Sequence, residues 1–126
     1  MAIKYEYDGD KNIVYSFTTG VVSISELTEY LNKLVEDPSV ENDFIEIGNL
    51  DGVEECKFSY SDTLQLPDLF AEIKNKKNQM GTIFIAKKDF QFGMARMMSI
   101  VVEGSLPTRV VRSQEEAEKE ADGLRI

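Results

Sequence analysis

An apolar strand pattern that leads directly into an apolar helix pattern constrains the fold of this chain more than any other feature. The residues Thr82–Ala86 read TIFIA, a continuous apolar run of the length that buried strands use. Shortly after it, Phe90–Val102 reads FQFGMARMMSIVV and keeps the spacing of a helix. Parallel sheets are built from strands that are followed by helices, so the pair indicates an α/β fold.

Local patterns extend this unit along the chain in the order ββαβαβαβα. Two alternating segments, Ile3–Tyr7 and Ile13–Thr18, flank the turn residues 8–10 and predict an opening hairpin. The other predicted elements are a helix from the Ser23/Glu26 capping box to Asp37, a strand at Phe44–Leu50, a helix that starts between Ser59 and Pro67, a strand at Thr82–Ala86, a helix capped by Asp89 that ends near Glu103, a strand at Thr108–Val111, and a helix capped by Ser113 that ends near Ala121. We therefore expect residues 1–126 to form one domain with a mixed, largely parallel sheet and four helices.

The charge of the chain is strongly acidic and unevenly distributed. Its formal net charge is −9, which argues against binding DNA or RNA because such binding gains most of its affinity from cationic contacts with phosphate. Residues 36–72 include eleven acidic residues and one basic residue, whereas residues 74–112 include eight basic and two acidic residues. This polarity fits either two solvated faces or a surface that steers a charged protein partner.

The sequence contains no pattern that predicts secretion or a membrane span. Its first residues do not combine a basic start with a long apolar run. No apolar stretch has the roughly eighteen residues that cross a bilayer. We therefore expect a cytoplasmic protein without integral membrane association. The opening hairpin has an exposed strand edge that can pair with a second copy of the chain, so a homodimer is an alternative to a monomer.

Few residues of this chain suit catalysis. It contains no histidine, which removes the usual triad base, zinc ligand and proton shuttle. The single cysteine, Cys56, follows Glu54 and Glu55, whose charges disfavour a thiolate. The glycine-rich motifs that hold nucleotide phosphates are also missing. We expect no enzymatic activity, no catalytic residue, no cofactor and no metal site.

One candidate binding region lies at the ends of the predicted parallel strands. Ligands of open sheets bind beyond the carboxyl ends of such strands, which here are marked by Asn49, Asp51, Lys87 and Lys88. The simpler interpretation is that these are solvated loop residues.

The methionine-rich helix is the second candidate region. On a helical wheel its apolar face is wider than packing on a sheet requires, and it contains Phe90, Met94, Met97, Val101, Met98 and Val102. Methionine suits adaptable surfaces, so this face either fills the core, with Met98 at its margin, or forms an apolar groove. Arg96 lies off the face and forms a surface salt bridge or, beside Lys87 and Lys88, receives a carboxylate or phosphate.

Three motifs resemble those of a known family. They are Phe92–Met97 (FGMARM), the strand Arg109–Val111 (RVV), and the Ser-x-x-Glu-Ala sequence that begins at Ser113. Together with the element order, they resemble the SpoIIAA-like or STAS family, named for sulfate transporters and anti-sigma-factor antagonists, and more narrowly its small stand-alone bacterial members. The resemblance covers almost the whole chain and implies the SpoIIAA-like fold and a regulatory role through protein binding.

The resemblance also implies a candidate for regulated phosphorylation. In regulatory members of the family, a partner kinase phosphorylates a serine that begins the helix after the third strand, within the sequence Asp-Ser-Ser-Gly-Leu. Here residues 53–67 read VEECKFSYSDTLQLP, which keeps Ser59 and Ser61 near a helix start but lacks that signature. A phosphate there would meet free backbone donors but also nearby carboxylates, so phosphorylation is a hypothesis beside simple helix capping.

Two functions remain open. The first is a cytoplasmic, non-enzymatic regulatory module that binds a protein partner, with Asp51, Lys87, Lys88, Arg96 and Met98 as its candidate surface. The alternative is a carrier or sensor of an apolar or lipid-like small molecule, held beneath the helices as in CRAL/TRIO-like lipid binders. An apolar cavity beside the methionine-rich helix would favour the alternative.

Overall fold

The computed structural model describes residues 2–125, in which five strands and four helices follow the predicted order. The strands are β1 (Ile3–Asp8), β2 (Ile13–Ser23), β3 (Phe44–Lys57), β4 (Gln79–Ile85) and β5 (Thr108–Val111). The helices are α1 (Ile24–Glu36), α2 (Tyr60–Lys76), α3 (Asp89–Val102) and α4 (Gln114–Leu124).

The five strands lie side by side in chain order. β1 and β2 form an antiparallel hairpin, and the later neighbours pair in parallel, each connected through one helix. Helices α1, α2 and α3 pack on one face of the sheet, and α4 covers the other. The predicted fold class, an α/β fold with a mixed and largely parallel sheet and four helices, is confirmed.

Alternation along the strands divides the core between these two faces. The face beneath α4 is lined by isoleucines, namely Ile13, Ile45, Ile47, Ile83 and Ile85. The small residues Ala117 and Ala121 let α4 pack against them. The face beneath α1–α3 is more varied, and it contains the polar residues and the cavity described below.

Serine hydroxyls cap three of the four helices. Ser23 Oγ accepts a hydrogen bond from Glu26 N (3.4 Å), and Ser113 Oγ accepts one from Glu116 N (3.2 Å), as predicted. At α3 the prediction of Asp89 as the cap is wrong, because Lys88 occupies the N-cap position. Asp89 is the first helical residue, and its carboxylate instead accepts a hydrogen bond from Arg112 (3.0 Å).

β2 and β3 are longer than the sequence predicted. The predicted ends were Thr18 and Leu50, but the two strands continue side by side to Ser23 and Lys57. Gly52 has a packing role there rather than a turn role, since a Cβ at this position would lie 2.7 Å from Thr19 Cγ2. The paired residues 19–23 and 52–57, called the ribbon below, extend past the end of β4. Elsewhere β4 begins at Gln79 rather than Thr82, and α4 ends at Leu124 rather than near Ala121.

α3 is rotated relative to the predicted core face. The buried residues are Gln91, Ala95 and Val102, whereas Phe90 and Met97, both predicted to face inwards, are 57% and 55% exposed. Ala95 is small enough to approach the sheet, and Gln91 Nε2 donates to the Val53 carbonyl (2.7 Å) in the ribbon. A wheel drawn from hydrophobicity does not reveal a buried glutamine with a backbone partner. The core alternative is therefore wrong for Phe90 and Met97, whereas Met94, Met98, Val101 and Val102 pack against the core.

Candidate functional site

A cavity of about 70 Å³ lies between the sheet and the helices α1, α2 and α3. Most of its lining is apolar, including Val22, Leu27, Leu50, Phe70, Met94 and Met98. The polar exceptions come from β2, α1 and β3, and they are Ser16, Thr18, Tyr30 and Glu46. The cavity therefore combines apolar walls with a single polar region, as small-molecule sites commonly do.

Glu46 is the centre of that polar region. It is 7% exposed, and its carboxyl group accepts hydrogen bonds from three hydroxyls. Thr82 Oγ1 donates to Oε1 (2.6 Å), Ser16 Oγ donates to Oε2 (3.2 Å), and the Tyr30 hydroxyl also donates to Oε2. We call Glu46, Ser16, Tyr30 and Thr82 the carboxyl cluster.

The carboxyl cluster contains no positive charge. Within residues 2–125, Glu46 forms no ion pair, so hydroxyl donors alone stabilise its oxygens. Burial raises the pKa of the Tyr30 phenol well above its ordinary value, and the charge of Glu46 and the hydrogen bond to it raise it further. Tyr30 therefore stays protonated as a donor to Glu46.

A surface groove of about 90 Å³ lies next to the cavity, between α3 and the beginning of α2. Its lining includes Thr63, Met97 and Val101, which do not reach the cavity. Four residues line both spaces, and they are Cys56, Phe58, Met94 and Met98. These four residues form the wall between the cavity and the groove.

Three of the four wall residues have properties that affect how the passage between cavity and groove can open. Methionine side chains change rotamer at low cost, so Met94 and Met98 can widen the passage without moving the backbone. Cys56 is a half-buried free thiol, and burial raises its pKa, which keeps it in the protonated thiol form at neutral pH. Met98, which the sequence placed at the margin of the core, is therefore a residue of this wall.

The candidate residues at the strand ends are brought together only in part. Asp51 Oδ1 accepts a hydrogen bond from the backbone N of Lys87 (2.7 Å), and Asn49 Oδ1 accepts one from Asp51 N (2.9 Å). Arg112 also reaches this loop, where it donates to the Lys87 carbonyl (2.9 Å). The polar groups thus hold the loop after β4 in place, and Lys88 lies exposed at the N-cap of α3.

Arg96 lies apart from these strand-end residues, on the exposed side of α3. Within the described residues it forms no ion pair, so the predicted surface salt bridge is not observed.

The two serines near the start of α2 differ in their surroundings. Ser59 is part of a complete capping box, in which its Oγ accepts from Asp62 N and its backbone N donates to Asp62 Oδ2, both at 3.0 Å. Ser61 is exposed and accepts one weak hydrogen bond, from Gln65 Nε2 (3.4 Å).

Residues 2–125 contain neither a group of metal ligands nor a membrane-spanning helix. No three Cys, Asp or Glu side chains are grouped closely enough to hold a metal ion. None of the helices in this part of the chain has the length and apolar character needed to cross a membrane.

Comparison with known proteins identifies the fold. No family model matches the sequence, and no curated protein matches it. A solved structure from the DUF3478 family of Shewanella loihica PV-4, described as having a SpoIIAA-like fold, matches 95% of this chain over 92% of its own length. The TM-score is 0.60 at 13% identity. The fold is SpoIIAA-like.

A second structure agrees with this assignment. The anti-sigma factor antagonist SpoIIAA in its unphosphorylated form matches with a TM-score of 0.55 at 12% identity, over 98% of each chain. The SpoIIAA-like fold that the sequence motifs implied is therefore confirmed.

Sequence reasoning missed the carboxyl cluster of this SpoIIAA-like fold. Glu46 lies in the segment FIEIGNL, where it is the one charged residue of a largely apolar strand pattern. A signal was present, because Ser16, Glu46 and Thr82 all occupy inward-facing positions on three neighbouring strands. Recognising it required the strand register, which the sequence did not supply.

Proposed function

We propose that this protein is a non-enzymatic binding domain that takes a small amphipathic molecule into the cavity beneath α3. The observation that supports this function is the cavity itself, whose apolar walls surround a buried carboxyl cluster. The same observation favours the sensor or carrier alternative drawn from the sequence. We also propose that residues 1–126 form one cytoplasmic domain.

The size of the cavity limits what it can take without rearrangement. Typical ligand pockets begin at about 300 Å³, several times the volume available here. A small molecule, or one end of a larger one, fits with rotation of Met94 and Met98, whereas a lipid chain requires α3 to move. We therefore propose a small amphipathic ligand rather than a bulk lipid.

Adjacent methionines provide a matched pair of variants to test this function. Met98 lines both cavity and groove, whereas Met97 lines only the groove. With n-butanol as the probe, titration followed by amide NMR shifts should show saturable binding near Glu46 in the wild type. Met98→Trp should fill the passage and abolish these shifts, and Met97→Trp should retain them. Absence of saturable shifts in the wild type, or equal behaviour of the two variants, would count against the proposal.

A second candidate function is binding of a protein partner at the face formed by α2 and α3. Each of these helices carries exposed large apolar side chains, namely Tyr60 (81%) and Leu64 (60%) on α2, and Met97 (55%) and Ile100 (69%) on α3. Solvated apolar residues in this number on two neighbouring helices are typical of interaction surfaces. The likeness to the fold of an anti-sigma factor antagonist also supports this regulatory role.

Co-purification from the native host tests the second candidate. A partner retained by the wild type should be lost with Leu64→Ser and Ile100→Ser combined, and kept with Val21→Ser, an exposed apolar residue of the ribbon. If charge also steers binding through Asp51, Lys87, Lys88 or Arg96, recovery should fall at high salt. If the amount of co-purified partner changes neither with the double variant nor with high salt, the result would contradict this role.

Phosphorylation at the start of α2 would regulate that surface. Ser61 is the better candidate, because a phosphate on Ser59 would displace the capping box and lie beside the Asp62 carboxylate. Mass spectrometry of protein from its own host checks both serines, and full absence of phosphate would remove the idea. A homodimer through the exposed edge of β1 and the absence of nucleic-acid binding remain predictions.

A further inference from the structure

We infer that the carboxyl cluster selects ligands whose polar end is a protonated amine and rejects ligands that end in a carboxylate or phosphate. The inference rests on the proposed small-molecule function and specifies the chemistry of the ligand. It follows from hydrogen-bond capacity and charge around Glu46.

The hydrogen-bond capacity is unequal between the two carboxylate oxygens. Each oxygen can accept about two hydrogen bonds. Oε2 receives both Ser16 and Tyr30, whereas from residues 2–125 Oε1 receives only Thr82. Oε1 therefore retains capacity for one further donor.

The hydroxyls of the cluster leave few donors for a ligand. Ser16, Tyr30 and Thr82 each use their single proton to bond Glu46, so the two of them that line the cavity, Ser16 and Tyr30, can offer a ligand only lone pairs. Thr18 is the one other hydroxyl in the lining, and it is neutral. The polar region is thus rich in acceptors, which suits a donor group.

Charge reinforces this preference. A buried carboxylate that lacks a cation gains from an ammonium group, and charge-assisted hydrogen bonds are the stronger kind. A ligand carboxylate or phosphate would instead place like charges together at low dielectric constant. The apolar walls would contact the carbon chain of the amine, with its nitrogen at Oε1.

Three probes with four carbon atoms each test the inference. We expect n-butylamine to bind about tenfold more tightly than n-butanol, since a hydrogen bond to a charged group has that order of effect, and n-butyrate not to bind. Binding is followed by amide NMR shifts and by slower modification of Cys56 with a thiol reagent, because Cys56 lines the cavity.

Variants separate this inference from the proposed function. Glu46→Gln removes the charge with little change in shape and should abolish the preference for n-butylamine over n-butanol. Glu41→Gln changes an exposed glutamate and should retain it. If n-butanol binds but n-butyrate binds as well as n-butylamine, or if Glu46→Gln leaves the ranking unchanged, the inference fails while the cavity function stands. If none of the probes binds, the cavity function itself fails.

A measurement on the wild type tests the inference even if the Glu46→Gln variant does not fold. The side-chain carboxyl ¹³C signal of Glu46 should shift saturably with n-butylamine and with the same affinity as the amide signals. A carboxyl signal that stays unchanged while n-butylamine saturates the cavity would overturn the inference.

Discussion

At the scale of single residues, the carboxyl cluster shows how a buried charge can be stabilised without a cation. Three hydroxyls from three different elements donate to Glu46, and the ring of Tyr30 packs edge-on against that of Tyr5 (centroids 5.9 Å apart). Removing one donor leaves an acceptor partly unsatisfied inside the core, which costs about 1–3 kcal/mol. The cluster therefore couples the stability of the core to the protonation of Tyr30.

This coupling predicts a loss of stability at high pH. In the unfolded chain Tyr30 ionises near pH 10, whereas in the folded protein its pKa is raised well above that value by burial and by Glu46. Above pH 10 the unfolded state therefore loses the proton that the folded state keeps. Tyr30 should then lower the free energy of unfolding by up to about 1.4 kcal/mol for each further pH unit. Below pH 10 this contribution is fully present.

Urea denaturation of Tyr30→Phe across pH 10 measures the effect. The variant should be less stable at neutral pH by about 1 kcal/mol, and its stability should fall less steeply above pH 10. Tyr5, whose pKa burial and the hydrogen bond to Asp37 raise to about 12, still contributes a slope in both proteins. Tyr60→Phe, at an exposed site, should follow the wild type. Parallel pH profiles for Tyr30→Phe and the wild type would show that Tyr30 is not linked to folding.

At the scale of elements, a lysine joins the ends of two helices. Lys77 is the C-cap of α2, and its Nζ donates to the carbonyls of Leu34 (2.9 Å) and Asp37 (2.7 Å) at the end of α1. Helix ends leave carbonyls without partners, so the contact satisfies α1 and fixes α2 beside it. Burial lowers the pKa of Lys77, an effect that the charge of Asp37 opposes.

We expect Lys77→Met to destabilise the protein by about 1.5 kcal/mol, because two carbonyls lose a charged donor while the aliphatic stem is kept. Lys74→Met, on the exposed side of the same helix, should change stability by less than about 0.5 kcal/mol. Chemical denaturation measures the free energy of unfolding of both variants, with one shared value for its dependence on denaturant concentration. Equal stability of both variants would mean that water replaces Lys77 at no cost.

At the scale of the whole molecule, the last described residue connects distant parts of the chain. Arg125, at the C-cap of α4, donates through Nη2 to the carbonyls of Asn12 (2.7 Å) and Asp43 (3.3 Å), and through Nη1 to that of Lys11. Both Asn12 and Asp43 have positive φ, at 55° and 65°. One side chain thus holds the turn of the opening hairpin and the entrance to β3 against α4.

Arg125→Met should loosen this connection without unfolding the core. We expect a loss of about 1 kcal/mol in stability and faster amide hydrogen exchange at residues 9–12, since the side chain is exposed and screened by solvent. Arg96→Met, which removes an exposed arginine from α3, should leave exchange at these residues unchanged. Unaltered exchange in Arg125→Met would show that the turn is held by its own backbone.

The sequence predicted the architecture better than the site, for physical reasons that particular residues illustrate. Element order followed from serine caps and apolar runs, which are local signals. The ribbon was not predicted because glycine is a residue type typical of turns. The role of Gly52 depends instead on the side chain of Thr19, which lies close to it on another strand. The cavity depends on the rotation of α3, which Ala95 and Gln91 set through contacts with the sheet.

The ribbon also has a consequence for the order of folding. Among residues 2–125, the part of β3 beyond the end of β4 pairs only with β2, and the pairing joins segments separated by all of α1. This pairing closes a loop as large as those at the centre of the sheet, but it has no strand of β4 beside it to stabilise it. On its other edge, the carbonyl of Val53 bonds the side chain of Gln91, which becomes available only when α3 has docked. We therefore expect residues 52–57 to gain protection last during refolding, after the hairpin and the centre of the sheet are already in place.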